Sequence, residues 1–464
     1  MLTGQLAHEK AVARLRASYD AIPTGQTVRL AKKTSNLFRP RSATGVPGLD
    51  VSGLGGVVSI DPDARTADVQ GMCTYEHLVE ETLAHGLIPY VVPQLRTITL
   101  GGAVSGLGIE STSFRNGLPH ESVLEMDIFT GSGEVVTTRP SPEGEHSDLF
   151  DTFPNSYGSL GYATRLRIRL ERVPSYVALR HVRLDDAGLL SKTISDIVET
   201  REYDGTRVDG LDGTAFAPGE CYLTLATWTE EPVVSTGSTS GSKPSDYTGG
   251  QIYYRSIQQR ETDLLTMHDY LWRWDTDWFW CSKAFGAQHP LVRRVWPRKY
   301  KRSDVYYRMV GLDHRLHIGA FLDRRAGRPE AERVVQDVEI PVERLPDFLD
   351  WFDTEVGMRP VWLCPLNASR KWPTYPLAPD ELYVNVGFWG NVAVGPEAPE
   401  APRNRAIEAK VHELGGHKSL YSEAFYDRET FDQLYDGPHL ARVKDRYDPE
   451  HRLTTLYDKA VKRR

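Results

Sequence analysis

Residues 93–117 constrain this chain more than any other stretch. Gly101, Gly102, Gly106, Gly108 and Gly117 fall within it, and Thr97, Thr99, Ser105, Ser111, Thr112 and Ser113 fill many of the gaps. Glycine allows backbone to approach a ligand closely and to turn at positive φ. Bare N–H groups in such a loop can hold an anion such as a diphosphate. The spacing is neither G-x-G-x-x-G nor the P-loop pattern, so neither familiar nucleotide loop applies. Taken alone, the stretch also reads as an ordinary glycine-rich connection.

The flanks favour the first reading. Downstream come an apolar run at 123–129, a Gly131-Ser132-Gly133 turn, a second short strand at 134–137, Gly158-Ser159-Leu160-Gly161 and an alternating strand at 166–170. Upstream, 57–60 and 67–69 flank an Asp61-Pro62-Asp63 turn, which is a hairpin signal. Thr74 can cap a helix through Leu83 that Gly86 ends. This order resembles the FAD-binding domain of the vanillyl-alcohol-oxidase or PCMH type. Within it, TLGGAVSGLGIESTSFRNG is similar to the delta-24-sterol reductases of the Diminuto/Dwarf family. The fold the resemblance implies is α+β: a two-subdomain PCMH-type FAD-binding domain over 1–174, then an α+β cap on an antiparallel sheet over 175–400. Residues 401–464 are then expected to return to the flavin site.

The chain is long enough for two or three domains, and its 40% hydrophobic and 25% charged residues are those of a globular protein. A formal net charge of −8 argues against a nucleic-acid partner. Cys73, Cys221, Cys281 and Cys364 lie far apart, with no spacing of a metal site or disulfide framework. No metal is expected, and the thiols read as reduced and buried. Residues 1–20 mix charges without an apolar core, and no apolar run approaches a membrane span. The expected location is cytoplasmic, peripheral to the inner membrane face where a surface docks there. Abundant Arg, Ala, Gly and Asp with little Asn or Ile suggests a GC-rich bacterial source.

The resemblance also implies where the flavin is held. The first phosphate loop falls at 32–39, where this chain has no glycine; Lys33, Thr34, Ser35 and Asn36, beside Lys32, offer cations, hydroxyls and an amide instead. A solvated basic turn is the alternative reading there. No histidine stands in that loop, so FAD is expected without a covalent link. The remaining FAD-binding set is Thr97, Thr99, Leu100, Gly101, Gly102, Ser105, Gly106, Gly108, Ile109, Ser111, Ser113, Gly117, Gly158, Ser159, Leu160 and Gly161. In the cap, strands are expected at 176–184, 221–228, 334–340, 361–364 and 383–387, with helices after Asp185 or Asp186 and over 342–352. Residues 232–250 read as a mobile Ser/Thr/Gly loop.

Residues 270–302 form an aromatic and basic insert. Tyr270, Trp272, Trp274, Trp278, Phe279 and Trp280 precede Arg293, Arg294, Arg298, Lys299, Lys301 and Arg302, with no acid among 291–302. Two readings stand: aromatics in the cap core, or docking of the stretch from Trp272 to Arg302 on an anionic membrane.

A helix expected at 407–414 ends at Gly415-Gly416 and leads into His417-Lys418-Ser419-Leu420-Tyr421-Ser422-Glu423. In related flavoproteins this segment runs beneath the flavin, which implies catalytic positions for Glu423, Tyr421 and His417. The family chemistry is reduction of an isolated lipid C=C bond, with NADPH as the expected reductant. Flavin supplies the hydride and the protein supplies a proton. A phenol of reference pKa about 10 is a feeble acid toward an alkene. A carboxylic acid kept protonated by burial, or a cationic histidine, suits the task better, which ranks Glu423 and His417 before Tyr421; for Glu423 a structural salt bridge, with Arg428 as the candidate partner, is the competing reading. The expected substrate is the 10-methylene fatty-acyl chain of a phospholipid, reduced to a 10-methyl branch, with a methyltransferase as an expected partner upstream. A sterol side chain is the alternative substrate. An FAD-dependent alcohol oxidase or a non-enzymatic lipid-binding protein are the alternative functions.

Overall fold

The computed structural model describes residues 4–32, 38–39, 45, 47–141, 144–232, 243–316 and 329–462, with backbone only over 313–316. The first phosphate-loop positions Lys33, Thr34, Ser35 and Asn36, and part of the Ser/Thr/Gly loop, lie outside them.

Among the described residues the chain builds two main sheets, both antiparallel. The first holds β1 (Val57–Asp61), β2 (Thr66–Gln70), β3 (Leu87–Pro89), β4 (Val123–Phe129), β5 (Val135–Thr138) and β6 (Tyr162–Arg172). Its order is β1-β2-β6-β4-β5, and β3 pairs with the far part of β6. Alternation along β6 explains its central place: Leu166, Ile168 and Leu170 are buried while Arg167 and Arg169 are exposed. Arg165 on the same strand gathers Asp68, Glu125 and Asp127 from its two neighbours into one ion cluster.

The second sheet runs β12-β7-β11-β10-β14-β15-β13-β16. Its strands are β7 (Tyr176–Leu184), β10 (Gly210–Ala217), β11 (Glu220–Thr229), β12 (Thr262–Thr266), β13 (Ala331–Pro341), β14 (Val361–Leu366), β15 (Tyr383–Ala393) and β16 (His417–Lys418); β8 (Glu202–Tyr203) and β9 (Thr206–Arg207) form a separate hairpin. The helices Ala187–Thr200, Leu345–Glu355 and Pro402–Glu413 cover one face through Ile194, Phe348, Phe352 and Ile407. Asp186 caps the first of them, its side chain accepting from the Leu189 amide at 2.7 Å.

After Lys418 the chain comes back to the first sheet. Phe431, Leu440, Val443 and Leu456 join the core that holds Leu149, Phe153 and Leu160. The Lys444 ammonium donates to the Ser159 carbonyl at 3.1 Å, and the Lys459 ammonium to the Gly158 carbonyl at 2.7 Å. This return holds the 157–161 turn in place. No helix among the described residues is long and apolar enough to cross a membrane.

The aromatic insert is core, not surface. Trp272, Trp274, Trp278, Phe279 and Trp280 are buried, and Trp274 stacks on Phe279 at 4.9 Å. Its cations divide. Arg273 and Arg293 are buried against Asp212 and Asp277, and Arg302 pairs with Glu76. Arg294, Arg298 and Lys299 are exposed beside Leu291 and Val295, which are 70% and 78% exposed. Any membrane contact therefore falls to the outer helix at 290–295 and its flank, not to the tryptophans.

Candidate functional site

One large cavity, of about 1160 Å³, lies where the glycine stretch meets the second sheet. Its floor is the backbone of 97–109 with Gly158. Thr99 caps the short helix Leu100–Ser105, its hydroxyl accepting from the Gly102 amide at 3.3 Å and from the Lys32 ammonium at 3.2 Å. Glycine is required here by close approach: a Cβ on Gly101 would stand 2.6 Å from the Gly71 carbonyl oxygen, and one on Gly106 2.7 Å from that of Gly102. The amides of Leu107, Gly108 and Ile109 border the cavity and have no acceptor among the described residues. Three successive bare donors beside a cap are what an anionic or amide-rich ligand needs.

Of the FAD-binding set read from sequence, Thr97, Thr99, Gly101, Gly102, Ser105, Gly106, Gly108, Ile109 and Gly158 line the cavity. The other described members of the set stand behind it. Leu100 and Leu160 are core. The Ser111 hydroxyl bonds that of Tyr270 at 2.6 Å and its carbonyl accepts from Leu211, tying the loop to the second sheet. The Ser113 hydroxyl accepts from the Glu110 amide. Gly117 turns at φ +69°, where a Cβ would strike the Glu121 carboxylate; Gly161, at φ +137°, lies against the Phe129 carbonyl. Ser159 is buried, its carbonyl held by Lys444.

The opposite wall divides by chemistry. One part is apolar: Trp278, Phe279, Phe285, Met309, Val310 and Leu312 from the insert and the helix Ser303–Leu316, with Trp362 and Trp389 from the sheet. The other part is polar and comes from β13 and its neighbours. Alternation on β13 sends Val334, Val338 and Ile340 to the helix-covered core and Arg333, Val335 and Asp337 to the cavity. The Asp337 carboxyl lies over Gly387, its register partner on β15, where a Cβ would stand 2.5 Å from Oδ1. Asn385 donates to Oδ1 at 2.9 Å, and the Tyr421 hydroxyl stands within hydrogen-bonding reach of the same carboxyl. The Trp389 indole N–H in turn donates to the Tyr421 oxygen at 2.8 Å. Burial pushes Asp337 up to about 6 against those two hydrogen bonds, and burial with the Asp337 charge pushes Tyr421 well above the usual phenol range.

Of the three catalytic positions expected in the C-terminal segment, only Tyr421 lines the cavity. His417 sits in the core between Tyr375 and Tyr435, at ring distances of 4.6 and 4.8 Å. Burial lowers it to about 3, so at neutral pH it is an uncharged core group and not the cationic acid the chemistry asks for. Glu423 does not border the cavity and forms a salt bridge, but with Arg333 at 3.2 Å; Arg428 pairs with Asp432. Asp337 was missed, although the pattern held a signal. The strand puts Val334, Val338 and Ile340 on one face and Arg333, Val335, Asp337 and Glu339 on the other, so two acids stand on the face away from the aliphatic core.

Comparison with known proteins gives this geometry a class. Residues 10–139 match the family model described as FAD binding domain. The chain is therefore an FAD-dependent oxidoreductase with an α+β fold of the PCMH type. Over 416 residues it is 25% identical to a Delta(24)-sterol reductase of Homo sapiens, covering 88% of this chain and 76% of the relative. A Delta(24)-sterol reductase of Arabidopsis thaliana is 24% identical over 454 residues, with 90% and 77% covered. Cytokinin dehydrogenase 3 of Oryza sativa matches over 130 residues only, at 33% identity and 28% of this chain.

The residues present fit FAD. The bare amides at 107–109 and the Thr99–Lys32 corner suit its polar diphosphate and ring edges, and the cavity, at about 1160 Å³, stands above the roughly 300–1,000 Å³ of ordinary ligand sites, as a ligand the size of FAD requires. When bound, the flavin supplies two-electron chemistry. The four cysteines are free thiols, and among the described residues no cluster of His, Cys, Asp or Glu is placed to hold a metal.

Proposed function

We propose that the protein reduces an isolated C=C bond in a lipid, with a 10-methylene fatty-acyl chain as substrate, a 10-methyl chain as product and NADPH as the source of electrons. One observation carries the reading: the glycine floor and the tryptophan–methionine wall border a single cavity. A hydrocarbon chain against Trp278, Phe279, Phe285, Met309, Val310 and Leu312 gains roughly 0.8 kcal/mol per buried CH₂, and these side chains offer an alkene little but contact. Such a wall suits a substrate whose reacting group is itself apolar. It does not suit a sugar or other polyol, which disfavours the alcohol-oxidase alternative. The relatives named as sterol reductases support the alternative substrate, a sterol side chain.

The chain's own residues then do three things. The 99–109 backbone binds and orients the cofactor, the aromatic wall excludes water and lays the alkene across the cavity, and an acid supplies a proton. The outer apolar residues Leu291, Val295 and Tyr300, with Arg294 and Lys299 among them, are proposed to rest on an anionic membrane, from which a lipid substrate would be drawn.

The test is incubation of purified protein, FAD and NADPH with phospholipid bearing a methylene-branched chain. A gain of two hydrogens in the acyl chain is expected. Intact alkene beside fully reduced sterol would replace the acyl reading with the sterol one, and no reduction of either under anaerobic conditions would end the C=C reading.

A further inference from the structure

We propose that Asp337 is the proton donor of this site, and that Tyr421 and Asn385 are positioning residues which hold the carboxylate left after the proton departs. The inference rests on the C=C reading above and adds the group that completes it. It begins from which hydrogen bonds are possible. The Trp389 indole can only donate, so at its 2.8 Å contact the Tyr421 oxygen is an acceptor. The Tyr421 proton is then free to point at the carboxyl beside it. Asn385 uses its amide N–H on Oδ1. Two donors therefore converge on Asp337, and both act on the ionised form more strongly than on the neutral one.

Burial works the other way and dominates, holding the carboxyl protonated up to about pH 6. The site thus stores a proton on a group prepared for losing it. Other titratable or charged groups near Asp337 set the field. Glu339 is two residues along on the same strand, buried and pushed well above the carboxylate range. Tyr157 is pushed up by burial and carries the Arg39 guanidinium 4.7 Å from its ring centre. Arg333 is four residues back on the same strand and paired to Glu423. Of the carboxyls on β13, Asp337 is the one that borders the cavity; Glu339 sits among Ser419, Tyr375 and His417.

The chemistry balances. The Asp337 O–H bond breaks and a C–H bond forms at the less substituted alkene carbon, leaving positive charge on the branched carbon. Reduced FAD, when bound, would supply the hydride for the second C–H bond. The alkene gains two electrons and two hydrogens, the flavin loses two electrons, and the Asp337 carboxylate is reprotonated from water. Neither Glu423 nor His417 can substitute, since neither borders the cavity.

The experiment uses the FAD-loaded protein, reduced photochemically without air so that the natural electron donor is not needed. It is mixed with methylene-branched phospholipid, and flavin reoxidation is followed by absorbance. Asp337→Asn keeps shape and hydrogen-bonding size. It is expected to bind FAD with an unchanged spectrum and to reduce normally, yet to reoxidise on the alkene ~100-fold or more slowly, the lower end of what a positioned acid contributes. Tyr421→Phe is expected to slow the same step less and to move its pH profile upward, because the carboxylate loses a donor. In wild type the rate is expected to fall as pH rises through about 6. Asp337→Asn within threefold of an active wild type would overturn the proposal.

If wild type reduces no alkene, the C=C reading fails, and the acid is tested without substrate. Infrared difference spectra between pH 5 and pH 8 should show protonated carboxyl bands, Glu110 among them, and Asp337→Asn should remove one of these. A variant spectrum with no band missing overturns the assignment whatever the substrate.

Discussion

Replacing Arg273 with methionine tests how the flavin loop is fastened to the second sheet. The guanidinium is wholly buried. It donates to Asp212 Oδ2 at 3.0 Å, to the Tyr270 carbonyl at 2.9 Å and to the Tyr253 hydroxyl at 3.2 Å, and lies 3.5 Å from Glu110 Oε1. Glu110 in turn accepts from Gln94 and from the Ser111 amide, so this one cation links both ends of the glycine stretch to the cap. Methionine keeps the stem and leaves two buried carboxylates without their counter-charge, a loss of about 3–5 kcal/mol. At about 2.1 cal/mol/K per residue, a chain of 464 residues has an unfolding entropy near 1 kcal/mol/K, so the thermal midpoint should fall by about 3–5 °C. The pH dependence follows from Glu110, which burial pushes up to about 7. A carboxyl raised in the folded state stabilises fully below its unfolded value and loses that contribution as pH rises toward the folded one. Removing Arg273 raises it further, so the deficit against wild type should be larger at pH 8 than at pH 6. Unfolding followed by tryptophan fluorescence reads both quantities. A loss under about 1 kcal/mol at both pH values, or a larger loss at pH 6, would refute the reasoning.

Gly106→Ala should yield protein depleted of flavin, read from the 450 nm absorbance, because the new methyl stands 2.7 Å from the Gly102 carbonyl and 3.2 Å from the Tyr157 ring; full flavin content would contradict the crowding. Arg294→Glu with Lys299→Glu should weaken flotation with anionic vesicles by more than tenfold, since each cation near such a surface contributes about 1 kcal/mol, and unchanged flotation would sink the proposed membrane face. Cys73 is pushed up to about 12 and Cys221 to about 11 by burial, and both are buried. Iodoacetamide at pH 8 should therefore leave them unmodified in the native protein and label them after unfolding, as mass spectrometry would show.

Local features of the fold were legible because local chemistry decides them. The hairpin around Asp61-Pro62-Asp63, the Thr74 cap and the alternation at 166–170 each depend on residues within a few positions of one another. The helix inside the glycine stretch was not foreseen, since Gly101 and Gly102 argue against helix; the Thr99 cap and close packing on Gly71 outweigh that propensity. Strand order in the second sheet was out of reach for a different reason. β16 pairs with β13 across some eighty residues, and nothing in two short segments states that they are partners.

The insert shows how composition alone leaves function open. Aromatics beside cations are equally the signature of a membrane face and of a core that buries arginines on acids. Asp212, Asp275 and Asp277 decide it: each lies in the core within reach of an insert residue or of Arg96, and three carboxylates there require cations and indole N–H groups around them. Asp212 accepts from Arg273, Trp274 and Trp362 together, which draws the aromatic run inward and leaves Leu291, Val295 and the cations between them outside.

The same logic explains where the structure puts the expected acids. The C-terminal segment was rightly expected near the site, and Tyr421 lines the cavity. Acid strength then ranked Glu423 and His417 before Tyr421. Yet His417 enters β16, where pairing with Glu339 fixes its ring in the core, and Glu423 lies past the turn beside Arg333. The carboxyl that does border the cavity comes from a strand some eighty residues earlier. Gly387 makes room for it, and Tyr421 is the one member of the segment that reaches it. A half-buried acid beside an apolar wall needs a neighbour's missing side chain as much as its own presence, so Gly387→Ala should slow flavin reoxidation on the alkene as much as Asp337→Asn does while leaving the carboxyl in place.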